Sequence, residues 1–405
     1  MKKIFVAFAV AVLLFSEPVF AKETGRLKIL TYNIWGVFVA PARRTRAELI
    51  GKEIAKLNPD IIGFQEAFNS KHRAIILSDL EKSGWGKPYS FYQKKWYGPG
   101  AWIVSKYPFE QTGMLVYPVN GTAFDSDYYA QKGVAYARVK TPYGPVDFFT
   151  THFIARYTLS EDLQGNVIEE DWIKSDRLLQ AEQMAWFIQR SNQESKSRSL
   201  VAVGDFNSPP VLLEYGLFKN LSGLTNTVDE IGISGCTPEK RRCRLEHRID
   251  HVFYENYPAQ SGFYLKPLKA EIVFDEKVKS GEKTVKMSDH DGLLVEFAVL
   301  SADDASAKVG ARDRAKIGLL NQDIEKELPR LKQEAQSGEL KIDPAWNAFA
   351  VQTLEKLNAD KNRWNKIPTV CAKILAADPA EKLKLNPKDQ KELEKAFKLF
   401  RVQGK

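Results

Sequence analysis

The feature that most constrains this chain runs from residue 26 to about 300, where short β-branched or aromatic segments alternate with amphipathic stretches. Residues 27–33 read as a strand, Arg43–Leu57 as an amphipathic helix and Ile61–Gln65 as a buried strand. Residues 101–105 form a further strand. Residues 135–140 and 146–152 read as neighbouring strands joined by the turn Thr141-Pro142-Tyr143-Gly144. Between 176 and 190, Leu178, Ala181, Met184, Ala185 and Ile188 recur at helical spacing. Residues 200–203, 249–254 and 293–299 complete the strand series. Elements alternating this way bury their apolar faces as sheets covered by helices, so the expected class is α/β with α+β character. With 405 residues, 44% of them hydrophobic, the chain can bury a large core without a disulfide scaffold.

The two ends differ from this middle. Lys2 and Lys3 precede an apolar run over 4–15, and Val19-Phe20-Ala21 supplies small residues where a signal peptidase reads. This is the pattern of a secretory signal peptide, with cleavage expected after Ala21 and a secreted or periplasmic destination. The run is too short to span a bilayer as a stable helix. Export makes pairing of Cys236 with Cys243 the expectation, leaving Cys371 as the odd thiol. After about residue 301 the β-branched residues thin out and Lys, Glu, Ala and Leu take over. Segments 313–336, 345–357 and 387–402 carry apolar residues at helical spacing. Asp343-Pro344 and Asn386-Pro387 read as helix starts. The expected division is a signal peptide over 1–21, a main domain over 22–300 and an all-α helical domain over 301–405.

Chemistry-bearing residues fall at the ends of the expected strands. Asn33 follows Leu30-Thr31-Tyr32, and Glu66 follows Ile61-Ile62-Gly63-Phe64-Gln65. His152 stands in Thr150-Thr151-His152-Phe153, Asp205 and Asn207 in Gly204-Asp205-Phe206-Asn207-Ser208, Asp250 in Arg248-Ile249-Asp250-His251, and Asp289 and His290 in Ser288-Asp289-His290-Asp291. Each type suits metal-assisted hydrolysis of a phosphoester. A hard cation such as Mg²⁺ takes oxygen ligands, which Glu66 with Asn33 beside it can supply. A near-neutral imidazole can take a proton from water, and a carboxylate behind it fixes its tautomer. Asp250 and His290 make that pair if their segments are adjacent. Asn207 and His152 can donate to charge developing on phosphoryl oxygens. Taken singly, each residue is as readily a turn, a cap or an ion-pair partner.

Together, in this order, these motifs resemble the endonuclease/exonuclease/phosphatase superfamily, over about residues 26–300. Within it, the chain is most similar to neutral and secreted bacterial sphingomyelinases. Leu30-Thr31-Tyr32-Asn33-Ile34-Trp35-Gly36 looks like their first motif, Lys132-Gly133-Val134-Ala135-Tyr136-Ala137 like their Lys-Gly strand, and Arg177-Leu178-Leu179-Gln180-Ala181 like their Arg-x-x-Gln-Ala segment. An insertion over about 159–173 and the tail after 300 depart from the pattern. The resemblance implies a four-layer sandwich of two β-sheets flanked by helices. It also implies Mg²⁺-dependent cleavage of sphingomyelin to ceramide and phosphocholine, with Mn²⁺ or Co²⁺ as substitutes for Mg²⁺. Carried over by position, Glu66, Asn33 and Asp289 would serve the metal, and His290 would be the general base oriented by Asp250. Asp205 would position the water, while Asn207 and His152 would stabilise the transition state.

Composition bears on the substrate. Of the net charge of +8, only about +2 belongs to 22–300, a weak basic field for a nuclease that must track phosphates. The charge leans mildly against nucleic acid, and the partner that the resemblance implies is a sphingomyelin-containing membrane surface. An exported metal-dependent nuclease or phosphatase is the rival, and a catalytically dead binding module the third reading. Trp85, Tyr89, Phe91, Tyr92, Trp96, Tyr97 and Trp102 crowd one stretch that could meet choline or a membrane, or simply pack a sheet. Phe124, Tyr128 and Tyr129 form a second such group. Lys240, Arg241, Arg242 and Arg244 could touch anionic headgroups.

Overall fold

The computed structural model describes residues 22–301 apart from 94–97, 118–129, 156–159, 162–166, 169–170, 195–198, 211, 237–242 and 257–261; beyond 301 it describes only 339–340 and 383–384. The strands in chain order are β1 (Glu23–Asn33), β2 (Ile61–Gln65), β3 (Tyr89–Phe91), β4 (Trp102–Ser105), β5 (Phe109–Val116), β6 (Gly133–Thr141), β7 (Gly144–His152), β8 (Ser160–Glu161), β9 (Val167–Ile168), β10 (Leu200–Asp205), β11 (Thr225–Asn226), β12 (Asp250–Glu255), β13 (Phe263–Val273), β14 (Val278–Ser280), β15 (Lys283–Val285) and β16 (Gly292–Ser301). The helices are α1 (Arg43–Leu57), α2 (Ser70–Leu80), α3 (Asp171–Glu194), α4 (Leu213–Ser222) and α5 (Thr227–Ile231).

Two six-stranded sheets stack face to face, one in the order β13-β16-β1-β2-β4-β3 and the other β11-β12-β10-β7-β6-β5. The period of two along β1 explains the layering. Leu27 and Ile29 face the second sheet and pack with Phe148, Val201 and Val203 between the sheets. Leu30 and Tyr32 face the other way, onto Ile50 and Ile54 of α1 and Ile76 and Leu80 of α2. On the far side, Phe149 and Leu200 meet Ala181, Met184 and Ile188 of α3 and Phe218 of α4. Central strands buried on both faces read as continuous apolar runs, which is why their sequence shows little alternation. The helix–sheet–sheet–helix order is the four-layer arrangement that the family resemblance implies.

Some boundaries move. The helix expected over 176–190 extends in both directions as Asp171–Glu194. The region read as an insertion holds the short β8–β9 pair and the start of that helix. A disulfide joins Cys236 and Cys243, as expected. The helices expected over 313–336, 345–357 and 387–402 lie outside the described residues, as do the signal segment and Cys371. The all-α tail therefore has no structural counterpart in the described part, where residues 339–340 pair with 383–384 as two short antiparallel strands. No helix among the described residues is long and apolar enough to cross a membrane.

Candidate active site

Strand register assembles the site. In the second sheet, Asp205 at the end of β10 lies opposite His152 at the end of β7 and opposite Asp250 at the start of β12. Three polar residues far apart in sequence thus stand in one row across three strands. In the first sheet, Asn33 ends β1 beside Gln65, and Glu66 follows directly. His290 arrives on the loop before β16, the antiparallel neighbour of β1. The loop is tied down there: Ser288 Oγ donates to the Asn33 carbonyl at 2.6 Å and accepts the His290 N–H at 3.2 Å.

Backbone strain marks the same rim. Glu66 (φ 56°) and Asn207 (φ 48°) are non-glycine residues in the left-handed region, a conformation that persists when surroundings over-determine it. Gly204 (φ 149°) precedes Asp205, and a Cβ there would run into the Thr151 carbonyl of β7. Only glycine lets the two strands approach closely enough to set His152 against Asp205.

His290 lies between two carboxylates. Its Nδ1 is 2.9 Å from Asp250 Oδ2, and its Nε2 is 3.4 Å from Asp205 Oδ2. With Nδ1–H donating to Asp250, the lone pair of the neutral ring sits on Nε2. Asp205 is buried and carries several contacts. Its Oδ1 accepts the Asn207 N–H, and its Oδ2 accepts Asn33 Nδ2 at 3.0 Å. The same Asn33 nitrogen donates to Glu66 Oε1 at 3.1 Å, and its oxygen takes the Trp35 N–H. Asn33 therefore bridges the two carboxylates as a donor, where the sequence suggested a metal ligand. Asn207 Nδ2 donates to the Phe153 carbonyl, a contact that uses one of its two amide hydrogens.

Two further placements depart from expectation. Asp289 is exposed, with Oδ1 accepting from Ser288 Oγ, and it is not among the groups whose ligand atoms converge. His152 is buried, and Lys132 Nζ donates to its Nε2 at 3.0 Å and to the Phe153 carbonyl at 2.8 Å. Burial and the ammonium hold the imidazole well below its ordinary range. His152 is thus a neutral acceptor in this arrangement, and Lys132 is the cation of the site. Sequence reading placed Lys132 in a motif without giving it a role; its position at the start of an otherwise apolar strand was the available signal. The Arg177–Gln180 motif also finds its reason here. Arg177 pairs with Glu214 and reaches the Ile154 carbonyl, while Gln180 Oε1 accepts the Ile154 N–H at 2.7 Å. Both brace the backbone behind His152.

The donor set fits a hard divalent cation. Asp205, Asp250 and His290 bring ligand atoms within 4.8 Å of one another; with Asp250 and His290 paired to each other, Asp205 is the member left to serve a cation. Across the Asn33 bridge, Glu66 Oε2 is buried with no hydrogen-bond partner. Burial pushes this carboxyl up to about 7, against the lowering influence of Asn33, Lys132 and His290. An oxygen kept dry and unpaired at this cost is the group a cation would satisfy.

The aromatic group over 85–102 divides between core and surface, with Tyr89 exposed and Phe91 and Tyr92 half-buried. Trp85 and Trp102 are buried, Trp102 stacking on Phe64 with ring centroids 4.7 Å apart. Tyr92 lies under the Arg73 guanidinium, 3.5 Å from ring centroid to Arg73 Cζ. Trp96, Tyr97, Phe124, Tyr128, Tyr129, Lys240, Arg241 and Arg242 lie outside the described residues, and Arg244 is exposed.

Fold and site together define a sandwich hydrolase architecture with acids, amides and histidines along one edge of paired sheets. The Endonuclease/Exonuclease/phosphatase family model matches residues 30–290, and the chain belongs to that family. Its curated relatives include inositol phosphosphingolipids phospholipase C of Schizosaccharomyces pombe, 28% identical over 216 residues, 51% of this chain and 46% of that protein. Another is sphingomyelin phosphodiesterase 2 of Mus musculus, 24% identical over 250 residues, 57% of this chain and 56% of that one. The chain spans about half the length of these relatives. Among solved structures it is similar to sphingomyelinase C from Streptomyces griseocarneus, with a TM-score of 0.48 and 18% identity over 67% of this chain and 99% of that one.

Proposed function

We propose that this protein is an exported, divalent-metal-dependent phosphodiesterase that hydrolyses sphingomyelin to ceramide and phosphocholine. The observation that carries the reading is His290 set between Asp250 and Asp205, opposite the unpaired buried oxygen of Glu66. The substrate class is supported by the names of the two relatives, a phospholipase C of inositol phosphosphingolipids and a sphingomyelin phosphodiesterase. Export is supported by the Cys236–Cys243 disulfide, a bond that persists in oxidising compartments.

Water brought to the open side of His290 Nε2, beside Asp205, gives its proton to the lone pair of the ring as its oxygen attacks phosphorus. Asp250 keeps the proton on Nδ1 and stabilises the imidazolium that forms. Phosphorus gains the hydroxyl, the bond to the ceramide oxygen breaks with its electron pair, and that oxygen recovers a proton in place of the one His290 received. Lys132 and the second amide hydrogen of Asn207 offer positive charge and a donor to the phosphoryl oxygens. Glu66 would hold Mg²⁺, with the Asp205 carboxylate next to it. The cation, when bound, neutralises charge developing on the phosphoryl group.

The test is phosphocholine release from sphingomyelin vesicles with Mg²⁺, run beside phosphatidylcholine vesicles and plasmid DNA. We expect release from sphingomyelin alone, abolished by EDTA. His290→Ala should reduce it by about 10²- to 10⁴-fold with the fold intact by circular dichroism. Nicked plasmid with untouched lipid would replace this reading with a nuclease.

A further inference from the structure

The loop joining β1 to α1 breaks two local rules at once. The Ala40 N–H bonds to the Val37 carbonyl at 3.1 Å, which makes Phe38 and Val39 the two corner residues of a turn. Corners ordinarily carry Gly, Pro, Asn or Asp. Here they carry large apolar side chains, Phe38 80% exposed and Val39 88% exposed. Among the described residues, these are the most exposed large hydrophobics and the only two adjacent in sequence. The second departure follows at once. Helix α1 opens with Arg43 and Arg44, has no acidic residue in its first turn, and has no side-chain cap on its N-terminus. Cations at a helix N-terminus oppose its dipole, so this placement costs stability. Arg44 is 82% exposed, and the Arg43 guanidinium lies 4.9 Å from the Phe38 ring centroid.

The internal contacts here are slight: Arg44 pairs with Glu48 at 3.1 Å on the exposed helix surface, and Arg43 lies over the Phe38 ring, so local rules broken together at one place point to a role outside the fold. An apolar tip backed by arginines matches the interface of a bilayer, where acyl chains meet anionic headgroups. The loop is also rooted in the site. It begins at Ile34, directly after Asn33, and Arg46 holds its base through the Ile34, Trp35 and Pro41 carbonyls.

We propose that Phe38 and Val39 insert into a lipid surface bearing anionic headgroups, with Arg43 and Arg44 at the phosphates, and so seat the site on the membrane. This deepens the lipid-substrate reading and rests on it for its purpose, but binding can be measured without any reaction.

The experiment uses the full chain and vesicles of phosphatidylcholine mixed with phosphatidylserine, free of sphingolipid. Phe38→Ser/Val39→Ser should weaken vesicle partitioning by about tenfold or more. Arg43→Gln and Arg44→Gln should each weaken it about fivefold, an effect that shrinks as salt is raised. Phe38→Trp should give blue-shifted emission, quenched by brominated lipid, when vesicles are added. Hydrolysis of a soluble phosphodiester such as bis(p-nitrophenyl) phosphate should be unchanged in all of these variants. Partitioning that the loop substitutions leave unchanged would overturn the proposal. So would an indole that stays in water when the Phe38→Trp variant is bound to vesicles. A loop that binds a protein instead of lipid would give the second result. Should the vesicle experiments succeed while sphingomyelin is not cleaved, the substrate reading falls and the docking loop stands.

Discussion

Glu66 concentrates the physics of the site in one side chain: a left-handed backbone, a buried oxygen without a partner, and a carboxyl raised to about 7 by burial. Its folded-state value lies above the 4.5 of an ordinary glutamate, so the folded protein binds the extra proton between those values. The stability this contributes is full below pH 4.5 and lost as pH rises through 7. Glu66→Gln should therefore raise the metal-free melting temperature at pH 8 and erase the stabilisation that Mg²⁺ gives the wild type. For the unmodified protein, titration calorimetry should show Mg²⁺ affinity falling about tenfold per pH unit below 7, since the proton competes for the same oxygen. His251 makes the opposite case. It is buried, its Nε2–H donates to the Ser208 carbonyl at 2.9 Å, and its Nδ1 accepts from Asn226 at 3.2 Å. Burial, with Arg248 adding to it, lowers its value from 6.5 to about 3. The neutral ring stabilises the fold fully above pH 6.5, and that contribution falls toward pH 3 by about 1.4 kcal/mol per unit. Denaturation of wild type and His251→Gln across this range should show that slope in the difference; parallel curves would refute it.

At the scale of elements, the site is a problem of joining loop ends, and α1 solves part of it through Arg46. The buried guanidinium donates to the carbonyls of Ile34, Trp35, Pro41 and Met287, linking the exit of β1 to the loop that carries His290. Arg46→Met would strand several carbonyls at once and should cost about 3 kcal/mol or more in denaturant unfolding. Arg46→Lys reaches fewer of them and should recover only part. The substitution loosens both the loop that carries His290 and the base of the 34–42 loop, so the kinetic test uses a soluble phosphodiester, on which kcat should drop more than KM rises. Such a clamp was not legible beforehand: in sequence, Arg46 is one more polar position on an amphipathic helix. Gln65 tells the same story from the other side. It belongs to a motif of the site, yet its Nε2 bonds Thr150 Oγ1 at 2.9 Å across the two sheets, so its work is to hold β2 against β7.

At the scale of the molecule, one apolar layer carries the arrangement. Phe148 is fully buried between the sheets, among Ile29, Val201 and Val203. Phe148→Ala should cost about 3–5 kcal/mol, read as a shift in the denaturation midpoint with little change in its slope. The sheets meet through this layer, and each brings half of the site to the same edge: Asn33 and Glu66 from one, His152, Asp205 and Asp250 from the other. Loss of packing between them should therefore lower Mg²⁺ affinity as well as stability.

The sequence by itself determined the elements and the chemistry. Apolar runs of strand length, helical periods and a polar residue at each strand end are local signals. They sufficed for sheets covered by helices; the four-layer order came from the family resemblance, the Asp250–His290 pair was conditional on their segments being adjacent, and the Cys236–Cys243 bond followed from closeness in sequence and export. What only the tertiary structure decided is the division of labour among those polar groups. Asn33 donates to two carboxylates, Asp289 turns to solvent, and burial, with the Lys132 ammonium beside it, holds His152 neutral. Those outcomes depend on which strands are neighbours, how far their ends overrun one another and how dry each oxygen becomes. Spacing along the chain records none of these, because hydrogen-bond direction and burial are properties of residues brought together from distant parts of the chain.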